Sequence, residues 1–481
     1  MFIGREQELK FLESRYQSNQ GELIVMYGRR RVGKTELLKK FCENKQHIFF
    51  SCTETTNSKQ LRSFSEEILK IHPFSKFMKQ FSDWESLFQS LAAFDFTLKP
   101  IIVIDEFPYM CKGDSSIPSI IQKIWDSTLK DKNMMLILCG SAMSFMENEI
   151  LAEKNPLYGR ATGVMKVEPM SFYDARDFVP QLNFEEQLEV YAMLGGIPHY
   201  LKMFSPLKTL KENVIDAILT PGAVLFSETD FMIRQELREI SVYNSIIETI
   251  AAGSSKLSEI SSRSLIDNNA KTATYLKNLI KLGLVERELS VDAGLKERTN
   301  QNRGIYKITD AFFRFWYTFV FPQYSIVAMG DTNGFYDYQI LPMLHQYASS
   351  TFEQVCKEYL IRRQIRNEVP FRFAKIGRWM GKTTLRDKNK KNEIRIDETE
   401  IAILAYNTER TKYIVGECKF KNQPFTYIEY LDTKMKLSDH QVSADFYYVL
   451  FSLSGFEDSL LEEAKHNDKL ILVSNEELAK G

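Results

Sequence analysis

At 481 residues the chain exceeds what one hydrophobic core supports, since single cores stop growing at about 250–300 residues, so two to four domains are expected. Hydrophobic residues make up 44% and charged residues 26%, with no Pro/Gly/Ser-rich tract and no long like-charge block, which excludes a chain dominated by disordered tails. A formal charge of −1 excludes a globally basic nucleic-acid binder and leaves only local patches to consider.

The six cysteines, Cys42, Cys52, Cys111, Cys139, Cys356 and Cys418, form no C-x-x-C pair and mostly sit in apolar runs. Buried, reduced thiols are therefore expected, not zinc or a disulfide framework. The opening "MFIGREQELKFLESRY" has no apolar signal region, and no segment reaches the roughly 18 uncharged apolar residues of a membrane span, so the expectation is a cytoplasmic protein without membrane contact.

"ELIVMY" (22–27) is an apolar run suited to a buried strand, "GRRRVGKT" (28–35) matches G-x-x-x-x-G-K-[ST], and "ELLKKFCE" continues with the helical spacing of Leu37, Leu38 and Phe41. Strand, loop and helix in that order form a phosphate cradle. Gly28, Arg31 and Gly33 belong to the loop that wraps ATP, Lys34 reaches the β/γ oxygens, and Thr35 supplies a hydroxyl to Mg2+. "KPIIVIDEFPYM" (99–110) reads as a parallel core strand that delivers Asp105 as a magnesium-associated carboxylate and Glu106 as the base for the attacking water. A third strand, "MMLILCGSAMSF", ends in Ser141, placed to sense the γ-phosphate or simply to make a turn or N-cap.

These residues resemble the archaeal and bacterial P-loop ATPases of the STAND-like branch of the AAA+ group. The resemblance spans essentially the whole chain and is carried by "FIGREQEL", the Walker A and B motifs, "CGSAMSFM", "PLYGR" and "LGGIPHYL". It implies that Gly4, Arg5 and Glu6 lie near the adenine and that Arg160 serves the γ-phosphate or an inter-domain contact, with a surface salt bridge as the plain alternative. It also implies that "GGIPHYL" lies where a helical lid feels nucleotide state, although a helix-to-helix corner accounts for its glycines and proline. His199 is a lone histidine without a partner pattern, and no catalytic role is expected of it.

From about Arg234 three short helical segments and a strand pair read as a winged helix-turn-helix. Leu276, Leu279 and Ile280 form the inner stripe of the third helix, Val285 to Leu289 starts the wing, and "RGIYKITD" returns it. Lys271, Thr272, Thr274 and Lys277 are candidates to face a major groove, or simply the helix's solvated face. "DAFFRFWYTFVFP" (310–322), with its seven aromatics, is expected as a buried helix in preference to a base-stacking platform.

Residues 323–481 resemble the C-terminal domain found with these ATPases, a relative of the PD-(D/E)XK nucleases, through "SSTFEQVCKEYL", "RFAKIGRWMGK", "DETEIAILA" and "YIVGECKFK". The resemblance implies a helix glutamate at Glu353 and a Glu-x-Lys pair at Glu417 and Lys419, with Glu353 and Glu417 on a divalent metal and the lysine activating water. Relatives read Glu-Ile-Asp in the preceding strand, whereas this chain reads Glu400-Ile401-Ala402. Alanine offers a metal no oxygen, so cleavage is expected to be slow or absent. Ala402 is then a substitution introduced to trap substrate, a natural degeneration, or a position whose role passed to Glu400 or Asp397. Asp397 lies five residues away, about 16 Å along an extended strand.

The expected fold is α/β: a P-loop NTPase core (1–160), a helical lid (161–233), a winged helix-turn-helix with an aromatic helix (234–322), and a restriction-endonuclease-like α/β domain (323–481). The expected function is an ATP-dependent switch acting on nucleic acid, DNA before RNA, with nucleotide-dependent self-association allowed. The alternative is a signalling or scaffold ATPase whose C-terminal domain binds nucleic acid or a protein without cleavage. A P-loop transferase is disfavoured, because no motif suggests an acceptor pocket.

Overall fold

A computed structural model describes residues 2–70, 79–91, 98–266, 268–300, 303–386, 394–436 and 444–481, with the backbone alone over 382–386 and 394–397. The chain divides into two compact units, one of residues 1–170 with Gly196–His199 and one of Ser171–Gly195 with Tyr200–Gly481.

The first unit is built on a parallel sheet of β1 (Glu22–Tyr27), β2 (His47–Ser51), β3 (Ile101–Asp105), β4 (Met135–Gly140) and β5 (Gly163–Lys166), in the spatial order β2-β3-β4-β1-β5. The three apolar runs of the sequence are its three central strands. β3 and β4 are buried along their whole length, as parallel strands covered on both faces must be. β5 falls in the segment expected to belong to the lid, yet it pairs with β1 and closes the sheet, so the first unit runs to Met170 and not to residue 160.

In the second unit the helices Ile240–Ala251, Leu257–Arg263 and Asn269–Lys281 lead into an antiparallel pair, β6 (Val285–Glu288) and β7 (Ile305–Ile308). The third helix buries Thr272, Tyr275, Leu276 and Leu279, an i, i+3, i+4, i+7 stripe. Two sequence expectations are corrected by that phase. Ile280 is 39% exposed and lies outside the stripe, and Thr272 is buried, its hydroxyl 3.1 Å from that of Ser261 and donating to the Asn268 carbonyl, so it faces no groove. Lys271, Thr274, Lys277 and Lys281 are exposed.

The aromatic run is core. Phe312, Phe313 and Phe315 have no accessible surface, and Arg314 ties the segment to the long helix Leu341–Ile365 through the hydroxyls of Ser350 and Thr351.

A second five-stranded sheet comprises β8 (Lys375–Arg386), β9 (Ile394–Tyr406), β10 (Lys412–Lys419), β11 (Asp445–Ser452) and β12 (Leu470–Ser474), in the order β12-β11-β10-β9-β8. β8 and β9, like β9 and β10, pair antiparallel, whereas β10, β11 and β12 are mutually parallel. The long helix packs Phe352, Cys356 and Tyr359 on one face, with Tyr359 and Phe451 rings 6.0 Å apart. The helices Tyr427–Met435 and Asp458–His466 cover Leu450 and Leu470 on the other. Among the described residues no helix is long and apolar enough to cross a membrane, and the six cysteines are free thiols, all but Cys418 buried.

Candidate functional site

Because the first sheet is parallel, the carboxyl ends of its strands share one edge, where loops and helix N-termini converge. β4 lies between β1 and β3. Ser141, just past β4, therefore emerges between the loop after β1 and the Asp105–Glu106 pair at the end of β3.

The loop is held in a shape that ordinary side chains would resist. Gly33 has φ +92°, Arg31 has φ 72°, and a β-carbon on Gly28 would stand 2.4 Å from the Val167 carbonyl oxygen. Lys34 is only 6% exposed, and its ammonium donates to the Gly28 and Arg29 carbonyls at 2.8 and 2.9 Å, so it braces the inside of the loop. Burial lowers its pKa, opposed by Cys139, Glu106 and Asp105. From outside, Arg5 donates to the Val32 carbonyl at 2.8 Å and to Glu8 at 2.6 Å. Gly4 and Arg5 are both left-handed, with φ 64° and 68°, and lead into the helix that starts at Glu6. Pro198, brought in by "GGIPHYL", sits 3.7 Å from where a β-carbon would stand on Gly33.

The Thr35 hydroxyl donates to Asp105 Oδ2 at 2.8 Å, and Asp105 Oδ1 accepts from the Glu106 amide at 3.0 Å. Glu106 occupies a left-handed N-cap position (φ 52°), and its Oε2 accepts from both the amide and the hydroxyl of Ser141, at 3.2 and 2.8 Å. Thr35, Asp105, Glu106 and Ser141 thus form one hydrogen-bonded constellation, with Lys34 adjoining Thr35 in the chain. Its oxygen donors, a hydroxyl and a carboxylate in contact, suit magnesium, which takes one or two protein oxygens and completes its shell with phosphate and water. Arg160 stands apart, its guanidinium bound to Asp126 at 2.9–3.2 Å on a partly exposed surface. Cys139, expected as a buried, reduced thiol and found as one, lies beneath the site; burial, then Asp105, pushes its thiol pKa well up.

The nuclease-type residues form a different arrangement. Glu353, on the long helix, accepts from Arg378 Nη2. Arg378 Nη1 donates to Glu400 at 2.9 Å, and Arg378 Nε lies 3.6 Å from Glu288. Burial raises the Glu353 pKa, Arg378 lowers it, and Glu400 and Glu417 raise it again. Glu417 is bridged by Lys419 at 3.2 Å and by Lys436 at 2.8 Å. Among the described residues no group of three or more His, Cys, Asp or Glu is placed to hold a metal ion. Each carboxylate here lies against a cation of the chain itself, with Arg378 shared by Glu353, Glu400 and Glu288.

Ala402 is half-buried. Between the pairs Gly377↔Leu404 and Trp379↔Ile401, β8 advances two residues and β9 three, so β9 carries a bulge at Ala402–Ile403, opposite Arg378. The side chain of Asp397 lies outside the described residues.

The segment 2–204 matches a model described as an ATPase domain predominantly from Archaea, and 316–434 matches one described as archaeal and bacterial proteins of unknown function. An uncharacterized protein of Methanocaldococcus jannaschii is 33% identical over 481 residues, the full length of both chains. The chain belongs to this family of archaeal P-loop ATPases. Solved structures similar to this ATPase include a Walker-type ATPase of Pyrococcus abyssi (TM-score 0.43, 21% identity, 66% of this chain and 96% of that one). The ORC2 protein of Aeropyrum pernix, solved in ADPNP–ADP complexes, is another (TM-score 0.41, 14% identity, 67% and 93%).

Proposed function

We propose that this ATPase is a nucleotide-driven switch acting on nucleic acid, in which ATP and magnesium occupy the first unit and the second unit binds nucleic acid without cleaving it. The observation that carries the reading is the contrast between the two constellations. Thr35, Asp105, Glu106 and Ser141 are linked to one another with oxygens suited to a magnesium–phosphate complex. Glu353 and Glu417 are instead neutralised by Arg378, Lys419 and Lys436. A metal-dependent nuclease needs its carboxylates for the metal, since these oxygens hold the cation that activates water. In this proposal Lys34 carries the β/γ phosphates, Thr35 and Asp105 the magnesium, and Glu106, oriented by Ser141, the attacking water. The winged-helix reading of 234–309 supplies a duplex-facing module with Lys271, Lys277 and Lys281 on its exposed face.

The test is the affinity of the full chain for labelled duplex and single-stranded DNA and RNA, with Glu106→Gln held in ATP and the unchanged protein held in ADP. A switch requires differential affinity between the two states. Equal affinity in both, for every nucleic acid, would overturn the proposal.

A further inference from the structure

Immediately after β6, residues 290–292 dock along the edge of β8. The Val291 amide donates to the Arg378 carbonyl at 2.8 Å, the Met380 amide to Ser290 Oγ at 3.1 Å, and Tyr406 donates its hydroxyl to the Val291 carbonyl at 3.1 Å. Trp379 Nε1 donates to Asp292 at 3.0 Å, and Gly377 makes room, for a β-carbon there would stand 3.3 Å from Val291. The contact fixes one wall of a groove of about 580 Å³, lined by Arg287 and Arg298 from the β6–β7 connection side, Lys357 from the long helix, and Lys375 and Arg378 from β8.

The charges in this groove are unevenly spent. Arg378 is neutralised by Glu353 and Glu400. The lining acids Glu286 and Glu288 are held by Lys307 at 2.9 and 3.2 Å. Arg287 donates to the carbonyls of Asn300 and Arg298, and Arg298 to that of Ala293 at 3.1 Å. Carbonyl bonds fix a guanidinium in place without cancelling its charge. The side chains of Lys357 and Lys375 make no hydrogen bond or ion pair among the described residues, and the nearest carboxylate acting on Lys357 is Glu358, its neighbour in the chain. Because Lys307 and Arg378 are each shared by two carboxylates, Arg287, Arg298, Lys357 and Lys375, from three chain segments, leave the groove a positive excess of two over Glu286, Glu288, Glu353 and Glu400.

We propose that this groove binds the phosphodiester backbone of nucleic acid, independently of base sequence. The inference deepens the reading given above, on which it rests, by locating the contact away from the exposed lysines of the Asn269–Lys281 helix. Four separated charges match several phosphates along a strand better than one. The lining holds no aromatic residue on which a base could stack. Contacts restricted to phosphate position a nucleic acid without reading it.

Lys357→Ala/Lys375→Ala is compared with the unchanged full chain by fluorescence anisotropy, on labelled oligothymidylate and on a random-sequence duplex, across a salt series. Counterion release sets the expectation: losing two phosphate contacts weakens binding roughly tenfold or more and flattens the log–log salt slope by about 1.8 on duplex or about 1.4 on single strands. Lys357→Arg/Lys375→Arg should keep both, and ATP hydrolysis should be unchanged in either variant. Lys271→Ala/Lys277→Ala/Lys281→Ala serves as the comparison at the other surface. If the unchanged chain binds and the groove variant binds equally well while the helix variant fails, the groove assignment falls and the nucleic-acid reading stands. If the unchanged chain binds neither probe, both fall together. If inorganic phosphate displaces the oligonucleotide at comparable concentration, the groove is a small-anion site and the proposal is overturned.

Discussion

Arg378 joins the long helix, β9 and the end of β6, and removing it gives a sharply signed result. In Arg378→Met the stem remains and the charge goes, leaving Glu353 without its partner. The bond to Glu400 contributes little, because that carboxylate is 61% exposed. The bond to Glu353 joins side chains 20% and 30% exposed, and a hydrogen bond to a charged group in such a setting is worth about 2 kcal/mol. The pH dependence fixes the cause. Burial already holds the Glu353 pKa above its ordinary value, with Arg378 pulling the other way. Without Arg378 it rises further, so the folded variant binds a proton that the unfolded chain releases. Stability is then preserved below the ordinary carboxylate range and lost as pH climbs through the raised folded value. Urea unfolding followed by circular dichroism at about pH 5 and about pH 8 should show a small difference from the unchanged protein at the lower pH and most of the ~2 kcal/mol at the higher. Glu353→Gln/Arg378→Met should recover most of the loss at high pH, because an amide leaves no buried charge. A loss equal at both pH values, or no recovery in the double variant, would refute the reasoning.

Two predictions concern the phosphate cradle. Lys34→Ala removes both the phosphate contact and the brace on the Gly28 and Arg29 carbonyls, so ATP affinity measured by calorimetry should fall at least tenfold; unchanged affinity would sink the site. Glu106→Gln keeps the shape and removes the base, and is expected to bind ATP normally while hydrolysis falls by roughly 10²–10⁴-fold; parallel loss of binding and turnover would show that Glu106 holds the loop together instead.

Much of the first unit is legible in the chain because parallel core strands are written as unbroken apolar runs, and β1, β3 and β4 are such runs. β2, "HIFFS", and β5, "GVMK", are short and alternate exposed with buried residues, so they give no comparable signal. The aromatic run announces itself as core by density alone. The third helix of the middle module is legible as a helix but not in phase, since Thr272 fills an interior position usually given to an apolar residue and Ile280 lies one step beyond the stripe. Arg378 carries no local signature. Its meaning comes from Glu353 and Glu400, 25 and 22 residues away, across a helix and a bulged strand. The bulge also defeats strict alternation: Ile401 and Leu404, three apart, both join the cluster with Trp379 and Val415.

That bulge changes what a carboxylate at position 402 should do. In a nuclease-type site an aspartate there completes an oxygen set for magnesium. Here position 402 lies opposite Arg378, whose guanidinium already draws Glu353 and Glu400 toward it. A third carboxylate beside an existing guanidinium strengthens the hold on that cation before it recruits a second, divalent one, because the two positive charges repel at short range. Ala402→Asp alone should therefore show little magnesium-dependent cleavage of DNA or RNA. Ala402→Asp/Arg378→Gln, with the competing charge gone, should cleave in magnesium and lose that activity on Glu417→Ala. Efficient cleavage by Ala402→Asp alone would show that Arg378 does not compete with a metal, and would return this domain to the class of nucleases disabled at one residue.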